Sequence, residues 1–260
     1  MDIYDHTNIF TYFVILSFIL GCVFGSFLNC MTDRIQKGIC WWKGHSVCDT
    51  CAHQLGILDL FPIFSYVLLK GRCRYCGSKL SKKYIYTEVI LGFIFVGYVL
   101  EHKKIDVELI DHLGMICILY GLSLCDINTY EIPNGFILFG FIWTVVFQLL
   151  EGYQLSDIGI HVCIALGFSG AVLLLSLLLN KVLNKETMGG GDIKLLFVCG
   201  MYLSIAENFL ELMIACILGL IFIIILKKDK IPFGPSISLA WLITMLCGDI
   251  LIKWYISVII

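Results

Sequence analysis

Long apolar segments recur along most of this chain, and they constrain its fold more than any other feature. Eight windows stand out, at 9–31, 84–100, 109–125, 133–150, 157–180, 193–205, 209–226 and 233–251. A helix needs ~20 apolar residues to cross the hydrocarbon core of a bilayer, and most of the windows approach that length. With 59% hydrophobic and 15% charged residues, the chain is too apolar for an ordinary soluble domain. The sequence therefore predicts an all-α polytopic membrane protein with about eight transmembrane helices in a lipid bilayer.

One sizeable polar segment, 32–83, interrupts the apolar windows. It divides the chain into a first transmembrane span at 1–31, a small polar loop domain at 32–83 and a second transmembrane region at 84–260. The net charge of −2 gives no electrostatic reason to expect nucleic acid as a partner.

The basic residues are distributed unevenly between the two sides of the predicted membrane. Nine lie in 32–83, three in 181–194 and three in 227–230, whereas the opposite side has only Lys103, Lys104 and Lys253. Cytoplasmic loops carry an excess of lysine and arginine. The distribution predicts that the polar loop domain faces the cytosol and that both termini face outward.

Four of the thirteen cysteines form two Cys-x-x-Cys pairs in the polar loop, Cys48 with Cys51 and Cys73 with Cys76. Because the cytosol keeps thiols reduced, this spacing favours metal binding over disulfides. Two such turns can complete a closed tetrahedral site, which is typical of structural zinc. His45 or His53 remains an alternative ligand, although the four cysteines suffice. The other nine cysteines lie mostly in apolar stretches and are predicted to be packing residues.

Two aspartates, Asp126 and Asp192, are predicted to lie at one depth on the cytosolic side. Pro133 fits the first turn of a new helix, which places a short turn between it and Asp126. Asp192 directly follows Gly189, Gly190 and Gly191, which permit a close backbone approach or a positive φ. Two neighbouring carboxylates share a proton, so that one can activate water while the other polarises a peptide carbonyl. A proton- or ion-coupled transporter could use the same features.

The remaining acidic residues near the apolar windows are less distinctive. Glu88, at the start of the second window, is a candidate functional acid, with an ion pair to arginine or lysine as the simpler interpretation, and it is given no role. Five acids near the outer ends of windows are predicted to be solvated: Asp111, Asp157, Glu207, Glu211 and Asp249.

The motifs around both aspartates resemble those of the type IV prepilin peptidases. The segment from Met188 to Leu195 is similar to the Gly-x-Gly-Asp motif of that family, and Asp126 with Ile132-Pro133-Asn134 is similar to its first catalytic motif. Further similarity extends over Gly25–Asn29 with Arg34 and over the polar loop, although Asp49 and Ala52 stand where the family usually has proline and glycine. The resemblance implies that Asp126 and Asp192 are catalytic and that Gly189, Gly191 and Lys194 support them.

The same resemblance implies an activity, partners and cofactors. The expected enzyme is an aspartyl endopeptidase of the bacterial cytoplasmic (inner) membrane that removes the leader of type IV pilin or pseudopilin precursors at the cytosolic face. Members with this cysteine loop often also methylate the new N-terminus with S-adenosylmethionine. Because the sequence has no glycine-rich nucleotide loop after a strand, the cofactor-binding residues are left unassigned.

Overall fold

Helices dominate the part of the chain that the computed structural model describes, residues 7–41, 43–185, 187–227 and 231–259. They are α1 (Thr7–Gln36), α2 (Phe64–Leu68), α3 (Lys82–His102), α4 (Val107–Thr129), α5 (Asn134–Leu150), α6 (Leu155–Leu183), α7 (Gly190–Gly200), α8 (Ile205–Leu226) and α9 (Gly234–Ile259). Each of the eight apolar windows overlaps one long or medium-length helix, and α2 lies in the polar loop. The all-α prediction is confirmed. Lys228 and Lys230, which entered the orientation prediction, lie outside the described residues.

The helices differ in whether they can cross a membrane alone. Among the described residues, six are long and apolar enough: α1, α3, α4, α6, α8 and α9. The apolar helix α5 has 17 residues. With 11 residues, α7 extends only about 16 Å, roughly half of the hydrocarbon core. The predicted count of about eight transmembrane helices is therefore approximate, because α5 and α7 are shorter than the six candidate spans.

The short length of α7 has a local cause. The Asn208 side-chain amide donates to the carbonyl of Gly200, the last residue of α7, at 3.4 Å, and to those of Leu203 and Ser204 in the following turn at 3.1 and 3.0 Å. Ser204 and Glu207 then form a capping box that starts α8, in which Glu207 Oε2 accepts from the Ser204 N–H at 2.8 Å. The predicted window 193–205 therefore runs across a helix junction.

The chain divides into two units, Met1–Leu109 and Ile110–Ile260. In the first unit α1 packs closely against α3 because glycines face the contact. A Cβ on Gly21 would lie 2.7 Å from the Cα of Gly92, and one on Gly25 would lie 2.9 Å from the Cα of Glu88. Small residues four positions apart allow two membrane helices to approach this closely. The predicted boundaries at 31/32 and 83/84 mark changes in polarity and remain a prediction.

In the second unit α7 is the central element. It packs against α5, α6 and α9, while α8 packs against α9. The side chains of Leu195, Leu196, Val198 and Cys199 are at most 1% exposed. This burial fixes the position of the whole helix, including Asp192 in its first turn.

Two of the five acids predicted to be solvated are buried in the second unit. Asp111 is 1% exposed and accepts from the Tyr202 hydroxyl at 2.8 Å, and Glu211 is 0% exposed. Both lie at least one turn inside their helices, where neighbouring helices cover them, so the prediction is wrong for this pair. Asp157 and Glu207 instead cap helix N-termini, and Asp249 is exposed.

Candidate functional site

Asp126 lies in the last turn of α4, where it is 4% exposed. Its Oδ2 accepts from the backbone N–H of Gly234 at 2.8 Å. Gly234 begins α9, so this carboxylate lies at a helix N-terminus, where N–H groups lack intrahelical partners and the helix dipole is positive. The contact fixes one oxygen of Asp126 in place.

Asp192 is the third residue of α7 and is half-buried. Gly189 is the N-cap of this helix, and its backbone N–H donates to the Asp192 carboxylate. The Asp192 N–H in turn donates to the Gly189 carbonyl at 3.1 Å. The first glycine of the Gly-x-Gly-Asp motif thus orients the aspartate.

Asp126 and Asp192 lie at the same end of the second unit. Gly191, next to Asp192, lies against Ile132 in the turn that follows Asp126, so the two carboxyls are near enough for their charges to interact. Each aspartate is held by a different backbone N–H, from Gly234 and from Gly189 respectively. The arrangement is a pair of neighbouring carboxyls in which each retains one oxygen that these two backbone groups do not engage. Such a pair can divide base and acid roles between its members.

Gly191 allows α7 to approach the turn that follows Asp126. A Cβ on Gly191 would lie 3.0 Å from the Cβ of Ile132. Gly189 has a φ of −70°, and Gly190 and Gly191 begin the helix, so none of the three needs a positive φ, and close approach explains Gly191. The turn reverses the chain through Tyr130, whose φ is 57°. Pro133 is the N-cap of α5, one residue earlier than the first-turn position predicted from sequence.

Lys194 is exposed and lies one helical turn from Gly191. Its Nζ donates to the Oδ1 of Asn134 at 2.9 Å, and Asn134 is the first residue of α5. Lys194 therefore connects the beginnings of α7 and α5.

Substitution of Gly191 by alanine is expected to reduce activity sharply, whereas Gly190→Ala should be nearly neutral. A Cβ at 191 would push against Ile132, while a Cβ at 190 would meet nothing within 4 Å. Both changes replace glycine in the first turn of the same helix, so their effects on helix propensity match. The measurement is the rate of substrate cleavage by each variant at equal protein content. Equal activity of the two variants would contradict the proposed role of the Gly191–Ile132 contact.

Gly234 is a site residue that the sequence reasoning missed. A Cβ there would lie 2.7 Å from Asp126 Oδ2, so only glycine leaves room for the carboxylate. The available signal was Pro235 next to this glycine, because proline favours the first turn of a helix and so indicated a helix start. The spatial relation to Asp126, 108 residues away in sequence, was not accessible.

The second candidate site lies in the first unit, where the four predicted cysteines come together. The sulfur atoms of Cys48, Cys51, Cys73 and Cys76 all lie within 4.8 Å of one another, and Cys48 Sγ is 3.9 Å from Cys76 Sγ. Tetrahedral zinc with Zn–S bonds of about 2.3 Å requires sulfur atoms about 3.8 Å apart. The four sulfur atoms therefore fit a zinc ion. Among the described residues, this group includes neither His45 nor His53, and the ring of His53 lies against Tyr75.

Each Cys-x-x-Cys pair is held in a small hairpin of the same design. The Cys48 N–H donates to the His53 carbonyl at 3.0 Å, and the Cys73 N–H donates to the Ser78 carbonyl at 2.8 Å. The residue after the second cysteine has a left-handed backbone in both hairpins, with φ of 55° at Ala52 and 71° at Gly77. The first hairpin therefore has the same left-handed turn as the second, although it carries Ala52 at the position where such a turn favours glycine.

Backbone hydrogen bonds prepare part of this cluster for metal. The Cys51 and Thr50 N–H groups lower the pKa of Cys48 to about 6, and hydrogen bonds from Ser78 lower the pKa of Cys76. The His53 N–H lowers the pKa of Cys51, but desolvation and the neighbouring Cys76 and Cys48 outweigh it and raise that pKa to about 11. A bound cation would displace the proton of the Cys51 thiol, because the thiolate is the form that binds metal.

Comparison with known protein families follows the same division of the chain. The "Bacterial Peptidase A24 N-terminal domain" profile matches residues 19–102, which include the four clustered cysteines. The "Type IV leader peptidase family" profile matches residues 113–224, which include Asp126 and Asp192. The chain belongs to the type IV leader peptidase family. Neither match supports the transporter alternative.

Individual relatives of the family cover most of the chain. A "Prepilin leader peptidase/N-methyltransferase" of Aeromonas salmonicida is 30% identical over 83% of this chain and 75% of its own length. Proteins with the same name from Legionella pneumophila and Bacillus subtilis are 30% and 27% identical, over 82% and 92% of this chain and 75% and 96% of their own lengths. No solved structure matches the chain.

The groove between α6 and α8 does not fit S-adenosylmethionine. It has a volume of about 420 Å³ and is lined by apolar residues such as Gly167, Phe168 and Phe209. The cofactor needs hydrogen-bonding partners for its adenine, ribose and amino-acid groups, and this lining offers almost none. In the described part of the chain, no side-chain group identifies a place for this cofactor.

Proposed function

We propose that this chain is a membrane aspartyl endopeptidase that removes the leader of prepilin-type precursors and then methylates the new N-terminus. The observation that carries the peptidase proposal is the juxtaposition of Asp126 and Asp192, each held by a backbone N–H. The family membership and the name that the relatives share support both activities.

The two aspartates would catalyse hydrolysis as a pair. The ionised member takes a proton from water as the water oxygen attacks the scissile carbonyl, and the protonated member hydrogen-bonds to the carbonyl oxygen. When the tetrahedral intermediate collapses, the carbon–nitrogen bond breaks and the leaving nitrogen takes a proton from the pair. The N–H groups of Gly234 and Gly189 keep both carboxyls oriented throughout.

The site is proposed to face the cytosol in the bacterial cytoplasmic membrane, with both termini of the chain outside. The distribution of the basic residues supports this orientation. A precursor that is anchored by its own apolar helix presents its leader on the same side, so the membrane orients enzyme and substrate before they touch.

Cys48, Cys51, Cys73 and Cys76 are proposed to hold a structural zinc ion. A closed site of four thiolates leaves no position for substrate, so the metal would stabilise the loop and take no part in hydrolysis. A segment of about 50 residues buries too little apolar surface to fold reliably alone, and a metal supplies the missing stabilisation.

The methyl donor is proposed to be S-adenosylmethionine on the family resemblance alone. No residue of this chain is given a role in methyl transfer.

The deciding experiment incubates the purified protein, reconstituted in lipid, with a prepilin precursor and measures the mass of the product. Loss of the leader mass is the expected result for the peptidase. A further gain of one methyl group, dependent on added S-adenosylmethionine, is expected for the second activity. An active relative that cleaves the same precursor serves as the positive control. A precursor that stays intact with this protein, while the control cleaves it, would contradict the peptidase proposal.

A further inference from the structure

Part of the polar loop exposes an unusual amount of apolar surface. Within 57–68, which we call the apolar segment, six large side chains are each more than half exposed: Ile57, Leu58, Phe61, Phe64, Val67 and Leu68. An aqueous loop rarely presents so many large apolar side chains within a dozen residues, and such patches mark contact with a protein or a membrane.

The backbone of the apolar segment is tied to a membrane helix. The Ile63 N–H donates to Glu88 Oε2 at 2.9 Å, and the Ser26 hydroxyl of α1 also bonds to this carboxylate. Ile63 has a φ of 61°, a conformation that β-branched residues rarely adopt. This rare conformation therefore occurs at the residue whose N–H bonds to Glu88. The Glu88 side chain belongs to a residue that is only 7% exposed.

The position of Glu88 gives the depth of the attachment. Lys83 and Asp33 form an ion pair of 2.8 Å where α3 begins and α1 ends, which marks the polar boundary of this helix pair. Glu88 lies five residues further along α3, or about 7.5 Å at 1.5 Å per residue. The apolar segment is therefore held at the level of the membrane-spanning helices and not beyond their ends.

The charges that follow the segment match a membrane surface. Four exposed basic residues follow the segment up to the start of α3 and have no ion pair with it: Lys70, Arg72, Lys79 and Lys82. The one acidic residue inside the segment, Asp59, pairs with Arg74 at 2.8 Å, so it contributes little unpaired negative charge. Apolar side chains followed by basic ones are typical of segments that lie in the interface of an anionic bilayer.

We propose that the apolar segment lies in the membrane interface, with its exposed side chains among the upper acyl chains and the following basic residues against anionic phospholipid headgroups. The polar loop domain is then a peripheral membrane element as well as a metal-binding one. The proposal is independent of the proposed enzymatic function.

The test uses full-length protein in nanodiscs of phosphatidylcholine and phosphatidylglycerol. p-Benzoylphenylalanine replaces Phe61 or Phe64 in separate variants, and the protein is irradiated and analysed by mass spectrometry for lipid adducts. The control position is Thr50, which is exposed and lies outside the apolar segment. Its neighbour Asp49 pairs at 3.3 Å with Lys37, just beyond the end of α1. Metal content equal to that of the unmodified protein verifies that the loop is folded.

Phospholipid adducts at positions 61 and 64, several-fold more abundant than at 50, are the expected result. Adducts to a second copy of the chain, or equal yields at all three positions, would overturn the proposal. Nanodiscs of phosphatidylcholine alone should give a lower yield at 61 and 64, because the basic residues then lose their anionic partners. An unchanged yield would overturn their assigned role.

Discussion

Replacement of either Asp126 or Asp192 by asparagine is expected to abolish precursor cleavage while leaving an intact, membrane-inserted protein. Asparagine retains the shape and accepts the same hydrogen bond from Gly234 or Gly189, but it cannot exchange a proton with water or substrate. Loss of one acid–base group typically costs about 10²–10⁴-fold in rate, and loss of one member disables the pair. The measurement is the initial rate of leader removal in lipid.

The matched control for this experiment is Asp249→Asn. Asp249 is an exposed aspartate of the same unit and should leave the rate unchanged. Precursor cleavage at the normal rate by D126N or D192N would refute the catalytic assignment.

Substitution of Cys73 by serine is expected to remove most bound zinc and to loosen the polar loop. The thiolate of this buried cysteine is one of four ligands within 4.8 Å of one another, and a serine hydroxyl binds zinc poorly. Zinc binding to structural sites of small domains contributes about 10–16 kcal/mol to folding, so the loss of a ligand should expose the loop to protease. Metal content per chain and the rate of proteolysis within 32–83 are the two measurements.

Cys40→Ser provides the control for the zinc experiment. Cys40 is an exposed cysteine of the same loop that lies outside the sulfur cluster, so its replacement should leave metal content unchanged. The zinc assignment would be refuted if the unmodified protein purified without about one bound metal ion per chain.

Local sequence signals predicted much of the fold. Apolar length identified every long helix, because the hydrocarbon core sets the same requirement for each span. It failed at α7, whose C-terminus depends on the side chain of Asn208 after the next turn. It also failed for Asp111 and Glu211, because proximity to the end of an apolar window does not show which neighbouring helices cover a residue.

The residues of the two candidate sites were also predictable in part from the sequence. The two aspartates and four cysteines stood out because carboxylates are costly in a membrane and because paired thiols with this spacing suit zinc. Glu88 was assigned a simple ion pair as its most ordinary role, yet it accepts from the Ile63 backbone. That contact joins residues 25 positions apart, and no periodic pattern in the sequence reports it.

The sequence by itself determined the class of this protein, the approximate positions of its helices and the candidate residues for its chemistry. These follow from local composition and spacing, since apolar length, reduced thiols and rare intramembrane acids each have one dominant physical meaning. Only the tertiary structure decided which oxygen of Asp126 meets Gly234, why Gly191 must lack a side chain beside Ile132, and where the apolar segment attaches. Those contacts depend on the packing of helices that are distant in sequence, and short-range patterns carry no record of that packing.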